Sequence, residues 1–196
     1  MFSANIIHEL ILCFLSDIQS CAFDITDLSE KTEEKPGNCI GMRIVILRHG
    51  EAVLSNFDRV LSSNGMKEAV ATGQKLSKIL KITRCFYSNK TRAEQTANIV
   101  CQQLGFEGAK ENFSELSPSG NPANVISYID EKCDDEDTVL LVSHLPLVEL
   151  LAYEYNGKLN FPPKFSTACA LVIDYDFVRG KYNRFISPFG DDVIFD

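Results

Sequence analysis

The chain has 196 residues, 45% of them hydrophobic, no Trp and a formal net charge of -8. That length allows one sizeable core, with or without an appendage. The charge argues against nucleic acid or an anionic membrane as a partner, because both need a basic face to displace counterions. Seven cysteines lie scattered without a CxxC pair or zinc-type spacing. They read as reduced thiols of a cytoplasmic protein, not as a disulfide framework.

Residues 1–41 read as an N-terminal extension. Ile6, Ile7, Leu10, Ile11, Phe14, Leu15 and Ile18 recur at helical spacing, which predicts an amphipathic helix that docks on the domain or on a second copy. No Lys or Arg precedes Lys31, and Glu9 and Asp17 interrupt the apolar run, so a secretory leader is not expected. A polar stretch from Asp24 to Gly41, with Pro36 and Gly37, reads as a linker. Residues 1–41 hold 2 Lys or Arg against 7 Asp or Glu, leaving 17 against 20 in the domain predicted over 42–196.

In that domain "RIVIL" (43–47) is a β-branched run of the kind that fills a strand buried on both faces. Met66, Val70, Leu76, Ile79 and Leu80 predict a helix over 65–80, capped by Ser62, Ser63 or Asn64. A strand at 83–88 and a helix from Thr91 stopped by Gly105 follow. Next come a weak strand at 109–113, a helix at 122–132, a strong strand at 138–143 and a helix over 145–157. Two strands, 167–175 and 182–187, close the chain as a hairpin. Alternating strand and helix predicts a three-layer α/β/α sandwich around a mostly parallel sheet, whose ligand crevice lies beyond the carboxyl ends of the strands.

Three of those ends carry polar clusters: "RHG" after the first strand, "SNKTR" after the second and "SH" after the strong one. They supply Arg48, His49, Arg92 and His144. Guanidinium forks match phosphoryl oxygens in shape and charge. An imidazole beside them is a nucleophile when its attacking nitrogen is deprotonated, which nearby positive charge favours. His144 precedes a helix with Pro146 in its first turn, so backbone amides there, Leu145 among them, can face an anion. Gly50 lets the chain turn sharply after His49 and approach a ligand closely. Ser55 is a further candidate donor to a phosphate oxygen. Each element alone has a plainer reading; together, after three strand ends, they indicate a phosphoryl site.

"VILRHGEA", "YSNKTRAEQTANIV" and "LLVSHLPLVELLA" resemble the signature segments of the histidine phosphatase superfamily, also called phosphoglycerate mutase-like. "RVLSSNG", "SELSPSG" and "PPKFSTACALVI" resemble its SixA-type phosphohistidine phosphatase branch. The resemblance runs from Met42 to about Ser187. It implies His49 as nucleophile, Arg48 and Arg92 as clamps on the phosphoryl oxygens, His144 as stabiliser of the transferring group, and hydrolysis through a phosphohistidine intermediate without metal or cofactor. Two departures stand out: Asn89 follows Ser88 where the family often has proline, and roughly fifty residues between Arg92 and His144 leave no room for an inserted, acid-bearing cap. An alkoxide leaving group needs such an acid more than an imidazole does. The expected substrate is therefore a phosphohistidine-bearing protein, such as a phosphotransfer domain of a signalling relay. A phosphomonoesterase for a small metabolite and a catalytically silent phosphate-binding module are the alternatives. Glu115 is the one candidate acid, its plainer reading being a capping or loop carboxylate.

Overall fold

A computed structural model describes residues 41–196. The amphipathic helix and linker expected upstream lie outside the described residues. Nine strands and four α-helices follow in the order β1 (Arg43–Arg48), β2 (Ala52–Ser55), β3 (Asp58–Leu61), α1 (Ser63–Leu76), β4 (Arg84–Tyr87), α2 (Thr91–Gln103), β5 (Lys110–Asn112), α3 (Pro122–Lys132), β6 (Thr138–Ser143), α4 (Leu147–Tyr155), β7 (Ala170–Tyr175), β8 (Gly180–Ile186) and β9 (Val193–Ile194). A 3₁₀ turn at Ser114–Leu116 precedes α3.

Seven strands form one sheet in the order β5-β4-β6-β1-β7-β8-β9. The first four are mutually parallel, and β7, β8 and β9 continue the sheet antiparallel. The sheet is thus mixed, its parallel half lying where βαβ connections join the strands. Side chains alternate across it as strand geometry requires. Ile44 and Ile46 of β1 pack with Val125 and Ile129 of α3 and with Leu151 of α4. Val45 and Leu47 pack with Ala69 of α1 and with Ala97 and Val100 of α2. Helices therefore cover both faces, giving the three layers, and no inserted cap interrupts the described residues.

The register of α1 differs from the expectation. Met66 and Ile79 are exposed, and Gly65, Ala69, Thr72, Gly73 and Leu76 are buried. Leu76 is buried as its spacing predicts and Leu80 packs against the same cluster, but over the first turns the helix lies so close to its neighbours that small residues line its inner face and Met66 points away. Ser62 is its cap, accepting from Gly65 N–H at 2.9 Å. Gly105, at φ 63°, closes α2 where a left-handed residue is required. The hairpin of β2 and β3 was not anticipated; it forms its own two-stranded sheet. Parallel strands β4, β6 and β1 are direct neighbours, so their carboxyl ends share one edge.

Candidate active site

That edge brings the four predicted side chains together. Arg48 is the last residue of β1, opposite Ser143 of β6 in the strand register. The backbone past it is pinned on two sides: His49 N–H donates to Ser143 O at 3.0 Å and His49 O accepts from Ala168 N–H at 3.2 Å. Gly50 N–H donates to Thr96 Oγ1 at 3.1 Å, and that hydroxyl donates to Arg92 O at 2.7 Å. Thr96 thus ties the first turn of α2 to the loop after His49. Gly50 has a packing role besides the one expected: a Cβ there would stand 2.6 Å from Gly65 O, so the approach of α1 excludes a side chain.

His49 is buried, and its two ring nitrogens have distinct partners. Nδ1 is 2.7 Å from Gly50 O, and Nε2 accepts from Arg92 Nε at 3.2 Å. A carbonyl can only accept, so the proton sits on Nδ1 and the lone pair on Nε2. The His144 ring lies 4.8 Å from the His49 ring, centroid to centroid, and its Nε2 is 2.8 Å from Ser88 Oγ. Arg48 Nη1 donates to Phe165 O at 2.8 Å. Arg48 Nε and His144 Nδ1 are buried without a hydrogen-bond partner among the described residues. Buried polar atoms without a partner are costly.

Burial is the main force on both imidazoles. His49 is pushed down from 6.5 to about 4 by desolvation, opposed by the Gly50 carbonyl and assisted by Arg92, Arg48 and Arg59. His144 is pushed down to about 3, again by burial first and then by the His49, Arg92, Lys90 and Arg48 charges. Both rings are therefore neutral at pH 7. Nitrogen-15 NMR should show His49 as the Nδ1–H tautomer titrating near pH 4; a midpoint near 6.5 would remove the argument that the site holds it neutral. The unfolded chain binds this proton first. Stability from His49 is thus whole above about pH 6.5 and declines as pH falls toward about 4, by on the order of 3 kcal/mol.

The remaining candidates fall at the margin. Leu145 N–H, beside His144, has no hydrogen-bond partner among the described residues, whereas Val148 N–H is taken by His144 O. Ser55 is exposed at the end of β2, paired with Asp58 across the hairpin, and bonds to none of the four central residues. Glu115 accepts from Asn121 N–H at 3.3 Å, at the start of α3, which matches the capping reading. Sequence reasoning missed Ser88, Thr96 and the Phe165 carbonyl as supports of the site. It also missed Glu68, a buried carboxylate that accepts from Glu51 N–H at 2.8 Å and from the Thr167 hydroxyl at 2.9 Å. Only the position of Thr96 four residues past Arg92 hinted at any of these.

Residues 44–117 match the family model described as histidine phosphatase superfamily (branch 1). The phosphohistidine phosphatase SixA of Escherichia coli (strain K12) is 34% identical over 154 residues, covering 75% of this chain and 94% of its own. The SixA homolog of Haemophilus influenzae is 37% identical over 147 residues, covering 69% and 89%. The solved structure of the protein histidine phosphatase SixA complexed with tungstate superposes with a TM-score of 0.69 at 32% identity, over 75% of this chain and 97% of that one. The chain belongs to the histidine phosphatase superfamily, in its SixA branch.

Proposed function

We propose that the chain is a phosphatase that hydrolyses phosphohistidine on another protein, with catalysis confined to residues 42–196. The observation that carries this reading is the pairing of His49: Nδ1–H held by Gly50 O leaves the lone pair on Nε2, where it accepts from Arg92 Nε and is freed to attack once that guanidinium turns to a phosphoryl oxygen. In the first step Nε2 bonds to phosphorus as the bond from phosphorus to the substrate imidazole breaks. The leaving ring keeps the electron pair and takes a proton from water. The His49 ring, now cationic, is stabilised by the Gly50 carbonyl. In the second step water attacks phosphorus, the P–Nε2 bond breaks, and orthophosphate leaves with the lone pair restored to Nε2.

Arg48, Arg92, His144 and the Leu145 amide hold the phosphoryl oxygens as charge shifts between nucleophile and leaving group, which is where such a site supplies most of its rate enhancement. Two facts support the reading: the two relatives bear the name phosphohistidine phosphatase, and the solved relative carries tungstate, an oxyanion. The partner we assign is a phosphohistidine-bearing protein, such as a phosphotransfer domain of a signalling relay, met in the cytoplasm. Among the described residues no helix is long and apolar enough to cross a membrane, and the four described cysteines are unpaired.

Steady-state rates on a phosphohistidine protein and on a panel of sugar and nucleotide phosphates test the assignment. The phosphohistidine protein should be preferred, and a hundredfold preference for the esters would overturn it. Rapid quench during turnover should trap acid-labile phosphate on His49.

A further inference from the structure

The β2–β3 hairpin carries an oddity that the chemistry above leaves unused. Val53, Leu54 and Phe57 are exposed, Leu54 by 76% and Phe57 completely. Ser55 pairs with Asp58, so Asn56 and Phe57 alone make the turn, at φ 47° and 69°. Tight hairpins favour Asn-Gly in this left-handed conformation. Asn56 suits it; a bulky Phe at positive φ is strained. Folding repays that strain with no burial, and strain kept without a folding return points to function.

The hairpin is also fastened beside the phosphoryl site. Leu61 N–H donates to Gln95 Oε1 at 2.8 Å, Ser62 N–H donates to Glu51 O at 3.0 Å, and the Thr91 hydroxyl donates to the Asp58 carboxylate, one residue from Arg92. Arg59, exposed, donates from Nη2 to Ala52 O at 3.1 Å, and Lys90 stands at the start of α2. An apolar tip thus adjoins a rim on which Arg59 and Lys90 stand against the one carboxylate of Asp58, on a domain with more acidic than basic residues.

We infer that this hairpin is the docking element for the protein that carries the phosphorylated histidine, gripping an apolar surface flanked by acidic side chains. The inference rests on the phosphohistidine reading and adds to it the part of the enzyme that selects a protein over a small phosphodonor. Three side chains fall well short of the about 800 Å² per partner typical of a stable interface. They suit a transient enzyme–substrate encounter better than a second copy of this chain.

The test compares wild type, Phe57→Gly and Leu54→Ser on free phosphohistidine and on a histidine phosphotransfer domain phosphorylated with phosphoramidate. Glycine adopts φ 69° freely, so Phe57→Gly should melt at or above the wild-type temperature. On the protein substrate, kcat/KM should fall about tenfold for each variant, through KM, with free phosphohistidine unaffected. Equal losses on both substrates, no loss on the protein, or a wild type that cleaves only the free compound would overturn the docking role. So would light scattering that shows a wild-type dimer dissociated by Phe57→Gly. A wild type that cleaves neither substrate would instead refute the phosphatase reading itself.

Discussion

His49→Ala is expected to lower turnover of a phosphohistidine protein by at least about 10⁴-fold, while tungstate binding changes by no more than about tenfold. The two effects separate because the nucleophile and the clamp are different groups. Arg48 is oriented by the Phe165 carbonyl, 117 residues away, and does not depend on the imidazole. Arg92 loses one partner at Nε but keeps its place at the start of α2, where Thr96 ties it to Gly50. The anion site should therefore survive with its charge intact. Single-turnover kinetics and titration calorimetry with tungstate give the two readouts. Turnover within tenfold of wild type would refute the nucleophile assignment, and retained turnover with acid-labile phosphate on another residue would name its replacement.

Gly65→Ala should be the most damaging small substitution at the base of the site. The added Cβ would lie 2.1 Å from Glu51 O and 2.8 Å from Glu51 N, both backbone atoms that cannot rotate away. The first turn of α1 or the loop after His49 must move. We expect a loss of about 3 kcal/mol in urea unfolding, at the upper end for overpacking. A shift of about 1 Å in a segment two residues from the nucleophile should also cost on the order of 100-fold in kcat/KM. Gly105→Ala is the control: its φ of 63° imposes about 1 kcal/mol of strain, but nothing lies within 4 Å of the new Cβ, so activity should stay at the wild-type level. Equal behaviour of the two variants would mean that α1 does not support the site.

Why Gly65 matters could not be read from the chain, and the same is true of several supports. The apolar run of β1, the strong strand β6 and the Thr91 helix were legible because a strand buried on both faces and an amphipathic helix impose local patterns on composition. The polar clusters were legible because they interrupt those patterns at strand ends. The inner face of α1 was not, since close packing selects small residues that carry no hydrophobic period. The β2–β3 hairpin escaped for a related reason: Leu54 and Phe57 are exposed, so alternation does not mark an inside, and the turn lacks the expected glycine.

By itself the amino-acid order determined which side chains are available, two arginines and two histidines, and that they follow or adjoin three strand ends, Arg48 and His49 sharing that of β1. Tertiary structure alone decided their chemistry. The contact from Arg92 to His49 spans 43 residues, and that from Ser88 to His144 spans 56. Burial, which no local spacing reports, sets both imidazoles neutral, and one carbonyl placed by the loop after β1 selects the nitrogen that keeps its lone pair. Local pattern arises from the periodic geometry of single elements; proton position and ring charge arise from groups that meet only when the sheet aligns three strand ends side by side.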